Sequence, residues 1–435
     1  MDLFNILKSK TFLSLLFASV LMSCSDNDDS LPEIISKDDA GQLGYTVQCP
    51  DTLFFHNLGE SQTLNVTIRD ANNNVLDASA IKYAPFGIGF TVSDNQITVN
   101  EKVLEKPVQT MTFNCKLPNT TLRDEIVIVF IADTSRNTKE SRTIYVKEPG
   151  TLSSLIVKED YKQIKKLTLY GQLNTKDQIF LRKLLGGEET IAKFDLIDYE
   201  GGFGYMIPYE QYFNDLTSEY SLEYLDLRNT IYVDDDRKEY YYPGKYTVIG
   251  DYNDQYKLNR YLFAMCINLK ELYLPDYIKV MMDGITEECP KLEFIHLPNN
   301  LQELCIEGNT AKNCYAFNHC QNLYTIEINE NNEYFTVDEN GMLYSKDKSV
   351  LYKYPGGRKN SVCKIPKGTT LQCYALGYAY NLRDVYFYDE TPIYAYGSPF
   401  TQNIKDITIH VPAGSIEAYK EKYPECKSIV EIESE

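Results

Sequence analysis

The chain has 435 residues and a formal charge of −19, with 62 acidic against 43 basic side chains. Apolar residues make up 43% and charged residues 24%, a globular balance with room for more than one core. A net anion of this size repels nucleic acid and anionic membrane surfaces, so neither is expected as a partner. The chain holds 36 Tyr, no Trp, 11 Cys and only 4 His, which disfavours zinc sites and imidazole-based catalysis. The composition therefore leans against an enzyme.

The N-terminus carries a basic start followed by a short apolar run. Lys8 and Lys10 precede Phe12–Leu21, about ten residues where a membrane span needs about 20. This pattern predicts a secretion signal over residues 1–23. The run ends in Leu21-Met22-Ser23-Cys24, which resembles a bacterial lipobox and implies cleavage before Cys24 and acylation of its thiol. The alternative is an ordinary signal peptide that happens to contain Cys24.

An acidic stretch, Ser25-Asp26-Asn27-Asp28-Asp29, follows the signal. It is similar to the signal that sends lipoproteins of Bacteroidetes-type bacteria to the outer face of the outer membrane. The alternative is a solvated linker. Residues 24–42 lack apolar periodicity and are predicted to form a flexible tether. The expected location is the outer membrane, facing the exterior, with membrane contact only through the lipid anchor.

Residues 43–150 alternate between apolar and polar side chains with a period of two. Leu64, Val66 and Ile68 alternate with polar residues, and so do the apolar residues of Met111–Leu117. Further apolar runs are Phe90–Val92, Ile97–Val99, Ile126–Ile131 and Thr143–Val146. Short strands separated by turns, without a helical stretch, predict an immunoglobulin-like β-sandwich that acts as a stalk. Cys49 and Cys115 face inward, where they could form a disulfide or remain buried free thiols.

The remainder, residues 151–435, contains strings of the form apolar-x-x-apolar-x-apolar. Neighbouring strings start 23 and 22 residues apart where the spacing is regular. The eight strings are Ile164–Leu169, Ile191–Leu196, Leu222–Leu227, Leu269–Leu274, Leu292–Leu297, Leu323–Ile328, Leu382–Phe387 and Ile404–Ile409. This is the leucine-rich-repeat signature, in which each unit supplies one short parallel strand. One unit cannot bury its apolar face alone, so the units are predicted to stack into a solenoid.

A second pattern narrows the type of repeat. Similar segments precede three of the strings, and they are Tyr261–Asn268, Tyr315–Asn322 and Tyr374–Asn381. Pro follows the strand at Pro275, Pro298 and Pro412. The combined pattern resembles the BspA-like leucine-rich repeats of bacterial surface proteins, over about residues 163–426. The resemblance implies surface display for binding or adhesion, without catalysis.

The resemblance is interrupted between about residues 197 and 260. A Tyr-rich insertion replaces regular repeats there, and its tyrosines are Tyr240, Tyr241, Tyr242, Tyr246, Tyr252 and Tyr256.

The repeat register also accounts for three cysteines. Cys266, Cys289 and Cys320 each lie three residues before a string, so we expect a buried column of thiols; disulfides or a metal site are the alternatives. Ala379 takes this position in a later repeat. The state of the remaining cysteines stays open, as does their pairing with Cys49 or Cys115: Cys305, Cys314, Cys363, Cys373 and Cys426.

The third and fifth positions of each string point away from the core, toward the predicted concave face. Aromatic and acidic side chains mix on that face, and the candidate ligand-binding residues are Tyr224, Asp226, Glu271, Tyr273, Phe294, His296, Glu327, Asp384 and Tyr386. In the last string Asp406 and Thr408 take these positions. Such a surface suits a protein partner, with a glycan as the alternative, and a merely solvated sheet face is the third possibility.

Catalytic and metal-binding motifs find little support. His319 and Cys320 are adjacent, but the repeat register explains Cys320 by packing. Asp234-Asp235-Asp236 lacks the spacing of a calcium loop and is better explained as an acidic surface loop. We expect no catalytic residue, no metal and no cofactor.

Overall fold

A computed structural model describes residues 33–85, 89–93, 95–104, 106–187, 218–233, 240–241, 247–248, 256–258, 262–306, 315–393 and 397–433. Several predictions fall outside these residues: the signal peptide with Cys24, the acidic start of the tether, the string Ile191–Leu196, Asp234-Asp235-Asp236, Cys314 and most of the Tyr-rich insertion.

Strands dominate the described residues. They are β1 Glu33–Ile35, β2 Thr46–Gln48, β3 Thr52–Phe55, β4 Ser61–Thr63, β5 Thr67–Arg69, β6 Ile81–Pro85, β7 Phe90–Ser93, β8 Gln96–Val99, β9 Val108–Leu117, β10 Thr120–Phe130, β11 Ser141–Val146, β12 Lys166–Leu173, β13 Tyr224–Tyr232, β14 Tyr240–Tyr241, β15 Thr247–Val248, β16 Lys257–Leu258, β17 Glu271–Tyr273, β18 Val280–Met282, β19 Phe294–His296, β20 Glu303–Ile306, β21 Thr325–Glu327, β22 Phe335–Val337, β23 Leu343–Ser345, β24 Val350–Lys353, β25 Val362–Ile365, β26 Thr370–Leu371, β27 Asp384–Phe387, β28 Thr408–Val411 and β29 Ser428–Glu431. The α-helices in the described residues are α1 Lys37–Ala40, α2 Leu152–Leu155, α3 Thr175–Leu184 and α4 Ile416–Lys422.

Contacts divide the chain into two units. The first comprises Met1–Gln48, Val66–Ala84 and Thr112–Glu125, and the second comprises Cys49–Asn65, Pro85–Met111 and Ile126–Glu435.

In the first unit, β1 runs parallel to the start of β10 and β2 runs antiparallel to β5. The helix α1 begins with a capping box, in which Ser36 and Asp39 bond each other's backbone N–H groups. Residues 33–42 therefore form a strand and a helix, where the composition predicts flexible tether. Cys115 is a buried free thiol, so the disulfide with Cys49 that the pattern left open is not formed.

In the N-terminal part of the second unit, β3 runs parallel to the end of β10, and β4, β8 and β7 form a small antiparallel sheet. Most predicted strands of residues 43–150 form. The immunoglobulin-like arrangement of these strands stays a prediction.

The largest sheet consists of six parallel strands in the order β11-β12-β13-β17-β19-β21. The fourth position of each string pairs with that of the next, so Leu225, Leu272 and Ile295 stand side by side and are fully buried. The sheet begins with β11, a strand that the apolar pattern assigned to the sandwich but that pairs with β12 along its whole length. We call these six strands the main sheet.

One hydrogen-bond pattern fixes the register of the main sheet. At the start of each strand two successive N–H groups donate to the same carbonyl of the preceding repeat. Lys270 and Glu271 donate to the Glu223 carbonyl at 2.8 and 3.0 Å, and Glu293 and Phe294 donate to that of Lys270 at 2.8 and 3.1 Å. Because every repeat uses this bond, equivalent positions stay aligned from strand to strand.

The return segments of the repeats pair as well. β16, β18 and β20 form a parallel sheet, and the core cluster of Leu and Ile side chains fills the space between it and the main sheet. An antiparallel insert, β22 to β24, follows β21. A second parallel sheet, β25-β27-β28-β29, then completes the repeats around a core of its own.

The second parallel sheet corrects the position of the last string. Thr408 pairs with Asp384 and His410 pairs with Tyr386, so Thr408 holds a third position and His410 holds a fifth position. The predicted string Ile404–Ile409 is therefore two residues out of register, and Asp406 lies in a 3₁₀ turn before the strand. Pro412 directly follows Val411, as Pro275 follows Leu274, and this spacing marks the correct register.

The predicted column of thiols (Cys266, Cys289 and Cys320) is confirmed. All three side chains are free and buried. The thiol of Cys289 donates to the Phe263 carbonyl at 3.0 Å, and that of Cys320 donates to the Thr286 carbonyl at 3.0 Å. The thiols of Cys289 and Cys320 thus each bond a carbonyl of the preceding repeat, which an aliphatic side chain at this position could not do.

The other cysteines differ among themselves. Cys305 is in a disulfide bond, whereas Cys363, Cys373 and Cys426 are free. Cys363 pairs with Val385 and so occupies a regular interior position of a strand whose sequence lacks the six-residue string. In the part of the chain that the structure describes, every helix is too short or too polar to cross a membrane.

The thiol column predicts strong protection from alkylation. In the folded protein, Cys266, Cys289 and Cys320 should not react with iodoacetamide, because burial excludes the reagent and raises the pKa of each thiol, to about 11 for Cys266. Peptide mapping by mass spectrometry, with and without denaturant, measures this. Labelling of Cys289 at equal rates in folded and unfolded protein would contradict the arrangement.

Candidate functional site

Three aromatic rings pack across neighbouring strands on the exposed face of the main sheet. Tyr224 on β13 and Tyr273 on β17 have ring centroids 5.2 Å apart, and Tyr273 and Phe294 on β19 have centroids 5.0 Å apart. The contacts are diagonal, between third and fifth positions, because the register brings such positions within reach of large side chains. We call Tyr224, Tyr273 and Phe294 the aromatic strip.

Two cations lie against Tyr224 and the central ring of the aromatic strip. The Arg228 guanidinium lies 4.6 Å from the ring centroid of Tyr273, and Lys166 Nζ lies 5.4 Å from that of Tyr224. Arg228 also pairs with Asp226, whose Oδ2 accepts a hydrogen bond of 2.7 Å from Nη2. This hydrogen bond raises the pKa of Arg228, so the guanidinium stays charged. Asp226 itself is buried, and its charge is neutralised within the protein.

Carboxylates surround the other end of the aromatic strip. His296 Nε2 lies 3.2 Å from Asp276 and its Nδ1 lies 3.1 Å from Glu327. Burial lowers the pKa of His296, but the hydrogen bonds to the two carboxylates outweigh burial, and the net effect is a raised pKa. The imidazole also stacks on Tyr273 with centroids 6.0 Å apart. Glu271 lies between Tyr224 and Phe294 in the register.

The two remaining candidates lie on the second parallel sheet. Tyr386 stacks on His410 with centroids 4.1 Å apart and an interplanar angle of 5°, and His410 Nε2 lies 2.8 Å from Asp384. The main sheet ends at β21 and the second sheet begins at β25, so the candidates form two groups on separate sheets rather than one continuous surface.

Three residues of the candidate site lie outside the sequence pattern. Arg228 lies one residue beyond its string, Asp276 lies two residues beyond Leu274, and His410 was displaced by the register error. Only His410 could have been placed from the sequence, because Pro412 marks the end of its string. Arg228 and Asp276 reach the exposed face from outside the strings, so the repeat pattern carries no information about them.

The adjacent His319 and Cys320 have the properties of packing residues. Burial raises the pKa of the Cys320 thiol to about 12 and lowers that of His319 to about 3. The hydroxyl of Tyr378 lies 2.5 Å from His319 Nε2. A thiol that stays protonated beside an uncharged imidazole does not form an ion pair for nucleophilic attack.

Comparison with known proteins agrees with this geometry. Residues 240–339 match the family model described as a BspA type leucine rich repeat region, in six copies. No curated protein gave a match.

Three solved structures are similar to this chain. A leucine-rich repeat protein from Eubacterium ventriosum has 15% identity over 40% of this chain and 53% of that chain, with a TM-score of 0.25. A leucine rich cell surface protein from Faecalibacterium prausnitzii has 17% identity over 39% and 61%, with a TM-score of 0.26. The pneumococcal vaccine antigen PcpA has 11% identity over 87% and 100%, with a TM-score of 0.23. This chain thus spans less than two thirds of the first two.

The parallel strands, their fixed register and the buried Leu and Ile ladder define a leucine-rich-repeat solenoid. The matched family model gives its type: the chain carries a leucine-rich repeat region of the BspA type.

The His296 contacts predict a pH-dependent contribution to stability. A raised pKa means that the folded state favours the protonated imidazole, so the contribution is full below 6.5 and is lost as the pH rises through the raised pKa. The substitution His296→Gln should lower the free energy of unfolding by about 1 kcal/mol at acidic pH and by less at alkaline pH. Denaturant unfolding of both proteins across this range measures the difference. A difference that does not change with pH would contradict the assignment.

Proposed function

We propose that the protein is a non-catalytic cell-surface lipoprotein that binds a protein partner through the aromatic strip of its main sheet. The aromatic strip is the observation that carries the proposal. It presents two Tyr and one Phe with an Arg, the residue types enriched at the centres of protein interfaces.

The charges around the aromatic strip support a partner surface that carries both acidic and basic groups. Lys166 and Arg228 lie at the β12–β13 end, whereas Asp276 and Glu327 lie at the opposite end, toward β21. A complementary surface would place acidic groups against the first end and basic groups against the second. Such an arrangement sets the orientation of a partner and speeds association more than it adds affinity.

A protein partner fits the ring geometry better than a glycan. Sugars stack on the open face of a ring, but Arg228 and Phe294 both lie against Tyr273, and Lys166 lies over Tyr224. The rings therefore offer edges and partial faces, which suit interdigitation with side chains. Glycan binding in a polysaccharide-uptake system remains the alternative that the experiment must separate.

The proposal places the solenoid outside the cell. Acylation of Cys24 would anchor the chain, the acidic stretch after it would direct export to the outer face of the outer membrane, and the immunoglobulin-like sandwich would act as a stalk. The lipobox-like residues Leu21–Cys24 and the BspA type of the repeats support this arrangement.

A lipid anchor at Cys24 predicts that substitution of this residue changes the cell fraction that contains the protein. With the thiol of Cys24 removed by Cys24→Ser, the protein should leave the membrane fraction and lose labelling by an alkyne fatty acid. In-gel fluorescence after metabolic labelling in a bacterial host measures both. Equal labelling of the two proteins would contradict acylation at Cys24.

The aromatic strip predicts the effect of one truncation on binding. Protein and glycan arrays probed with residues 25–435 identify the class of ligand, and calorimetry gives the affinity. Tyr273→Ala should weaken binding of a protein ligand at least about tenfold, because Tyr273 contacts both neighbouring rings and Arg228.

Two matched substitutions serve as controls. Tyr334→Ala removes an exposed tyrosine outside the aromatic strip, and Tyr386→Ala removes a ring on the other sheet. Both should leave the affinity unchanged. If Tyr386→Ala abolishes binding while Tyr273→Ala has no effect, the site is on the second sheet and the proposal is wrong. Binding to glycans alone would also overturn it.

A further inference from the structure

The parallel sheet of the solenoid is interrupted between two successive repeats. The main sheet ends with β21, and the second sheet begins with β25. Among the described residues, β21 pairs only with β19 and β25 pairs only with β27. The facing edges of β21 and β25 therefore lack the partner that every inner strand of these sheets has.

Three extra residues explain the interruption. In regular repeats, the residue directly before a strand donates its N–H to a carbonyl of the preceding repeat. Before β25 the bond to the preceding repeat is made instead by Gly357, whose N–H donates to the Leu323 carbonyl at 2.7 Å. Gly357 lies five residues before Val362, the first residue of β25. A β-carbon on Gly357 would collide with the carbonyl of Asn322, so glycine is required at this crossing. The pairing of β25 with β27 places Asn360 level with Leu382, the first residue of its string. In a continuous sheet Asn360 would therefore lie beside Leu323, the first residue of the preceding string. Gly357 lies there instead, so the chain has three extra residues.

The free edge of β25 presents defined backbone groups. Arg383 and Asp384 both donate to the Ser361 carbonyl, at 2.7 and 2.9 Å, so Ser361 faces β27. Backbone groups of successive strand residues point to alternate sides, so the N–H and C=O of Val362 and Lys364 point to the open side. Unpaired groups of this kind are a template for an added strand. We call this side of β25 the open edge.

A cavity lies beside the open edge. Its volume is about 360 Å³, and its lining includes Asn360–Lys364 together with Met342 and Tyr354. The side chain of Val362 is 45% exposed. A strand that paired with β25 would therefore find an apolar recess for one of its side chains.

The segment that contains the open edge is basic, whereas the whole chain is acidic. Residues 348–383 contain seven Lys or Arg and no Asp or Glu, in a chain of net charge −19. Lys359 and Lys364 are exposed. Of the nearby carboxylates, Asp384 is bonded to His410, Glu327 on β21 is bonded to His296, and Asp338 accepts from the Met342 N–H. Glu339, at the turn of the insert, is exposed.

We propose that the open edge binds an extended acidic segment of a partner protein, which adds a strand to β25 and is independent of the aromatic strip. Main-chain hydrogen bonds to Val362 and Lys364 hold the segment. The cavity takes an apolar side chain on one face of the added strand, and Lys359 and Lys364 attract its carboxylates.

A synthetic probe tests this proposal. A peptide of about ten residues that alternates Val and Glu should bind the folded protein by fluorescence polarisation. The peptide with Lys in place of Glu should not bind. N-methylation of the backbone on the side that faces β25 should abolish binding, since it removes the donors of the strand pairing.

Two substitutions of one residue separate backbone from side chain. Val362→Pro removes the N–H that points to the open edge and spares the bonds to β27, and proline is tolerated on an edge in this orientation. It should weaken peptide binding at least about tenfold, whereas Val362→Ala should weaken it less. Lys359→Glu combined with Lys364→Glu should also weaken it. Thermal melts and circular dichroism of each variant show whether the fold is intact.

Several results would overturn the proposal. Equal binding by Val362→Pro and Val362→Ala, or full binding by the N-methylated peptide, would show that no strand is added. Loss of binding only in the lysine variant, with heparin competing for the site, would indicate a general polyanion surface. Self-association that Val362→Pro abolishes in sedimentation velocity, without peptide binding, would identify a second copy of this chain as the occupant.

Discussion

A shared carbonyl at the start of each main-sheet strand from β12 to β21 holds the main sheet in register. The two N–H groups of Lys270 and Glu271 donate to Glu223, and the pattern repeats from β12 to β21. Because side chains of a strand alternate between its faces, a slip of one residue would turn the buried Leu ladder outward. The same bonds that bury Leu272 and Ile295 therefore also align Tyr273 with Asp226 and His296. Core and candidate binding surface depend on one constraint.

Buried polar groups reinforce this constraint at the turns. A column of Leu side chains at the thiol positions would leave the carbonyls of Phe263 and Thr286 without the thiol donors that they now have. The residue before each of these positions, Met265, Glu288 and His319, adopts a left-handed backbone conformation with φ between 56° and 60°. Such a conformation costs about 1 kcal/mol for a residue other than glycine, and the repeated contacts of the core offset it.

The repeat strands were largely predictable because the apolar positions of the six-residue string are the positions that the fold buries. Six of the eight strings fall on described strands in the predicted register, Ile404–Ile409 is displaced by two residues, and Ile191–Leu196 lies outside the described residues. The strand β25 was not predicted, since Asn360 and Cys363 take apolar positions of the string and a long loop precedes it. The strand β11 was predicted in the wrong sheet because apolar alternation does not specify a partner strand. The residues that modify the candidate surface, Arg228 and Asp276, lie outside the strings and depend on tertiary geometry.

The net negative charge is distributed unevenly over the described residues. The acidic composition first excludes nucleic acid, and the fold then separates two local environments. Carboxylates surround His296 at one end of the aromatic strip, whereas an uninterrupted basic segment borders the open edge. The two proposed sites therefore use different chemistry, aromatic side chains at the aromatic strip and backbone groups with lysines at the open edge.

Hydroxyl-radical footprinting of residues 25–435, alone and with the protein ligand selected by the array, tests the binding role of the aromatic strip most directly because it reports on single side chains. Oxidation of Tyr224, Tyr273 and Phe294 should fall on binding, while that of the exposed Tyr334 should stay constant. Unchanged oxidation of all three rings in the bound state would contradict a binding role for the aromatic strip.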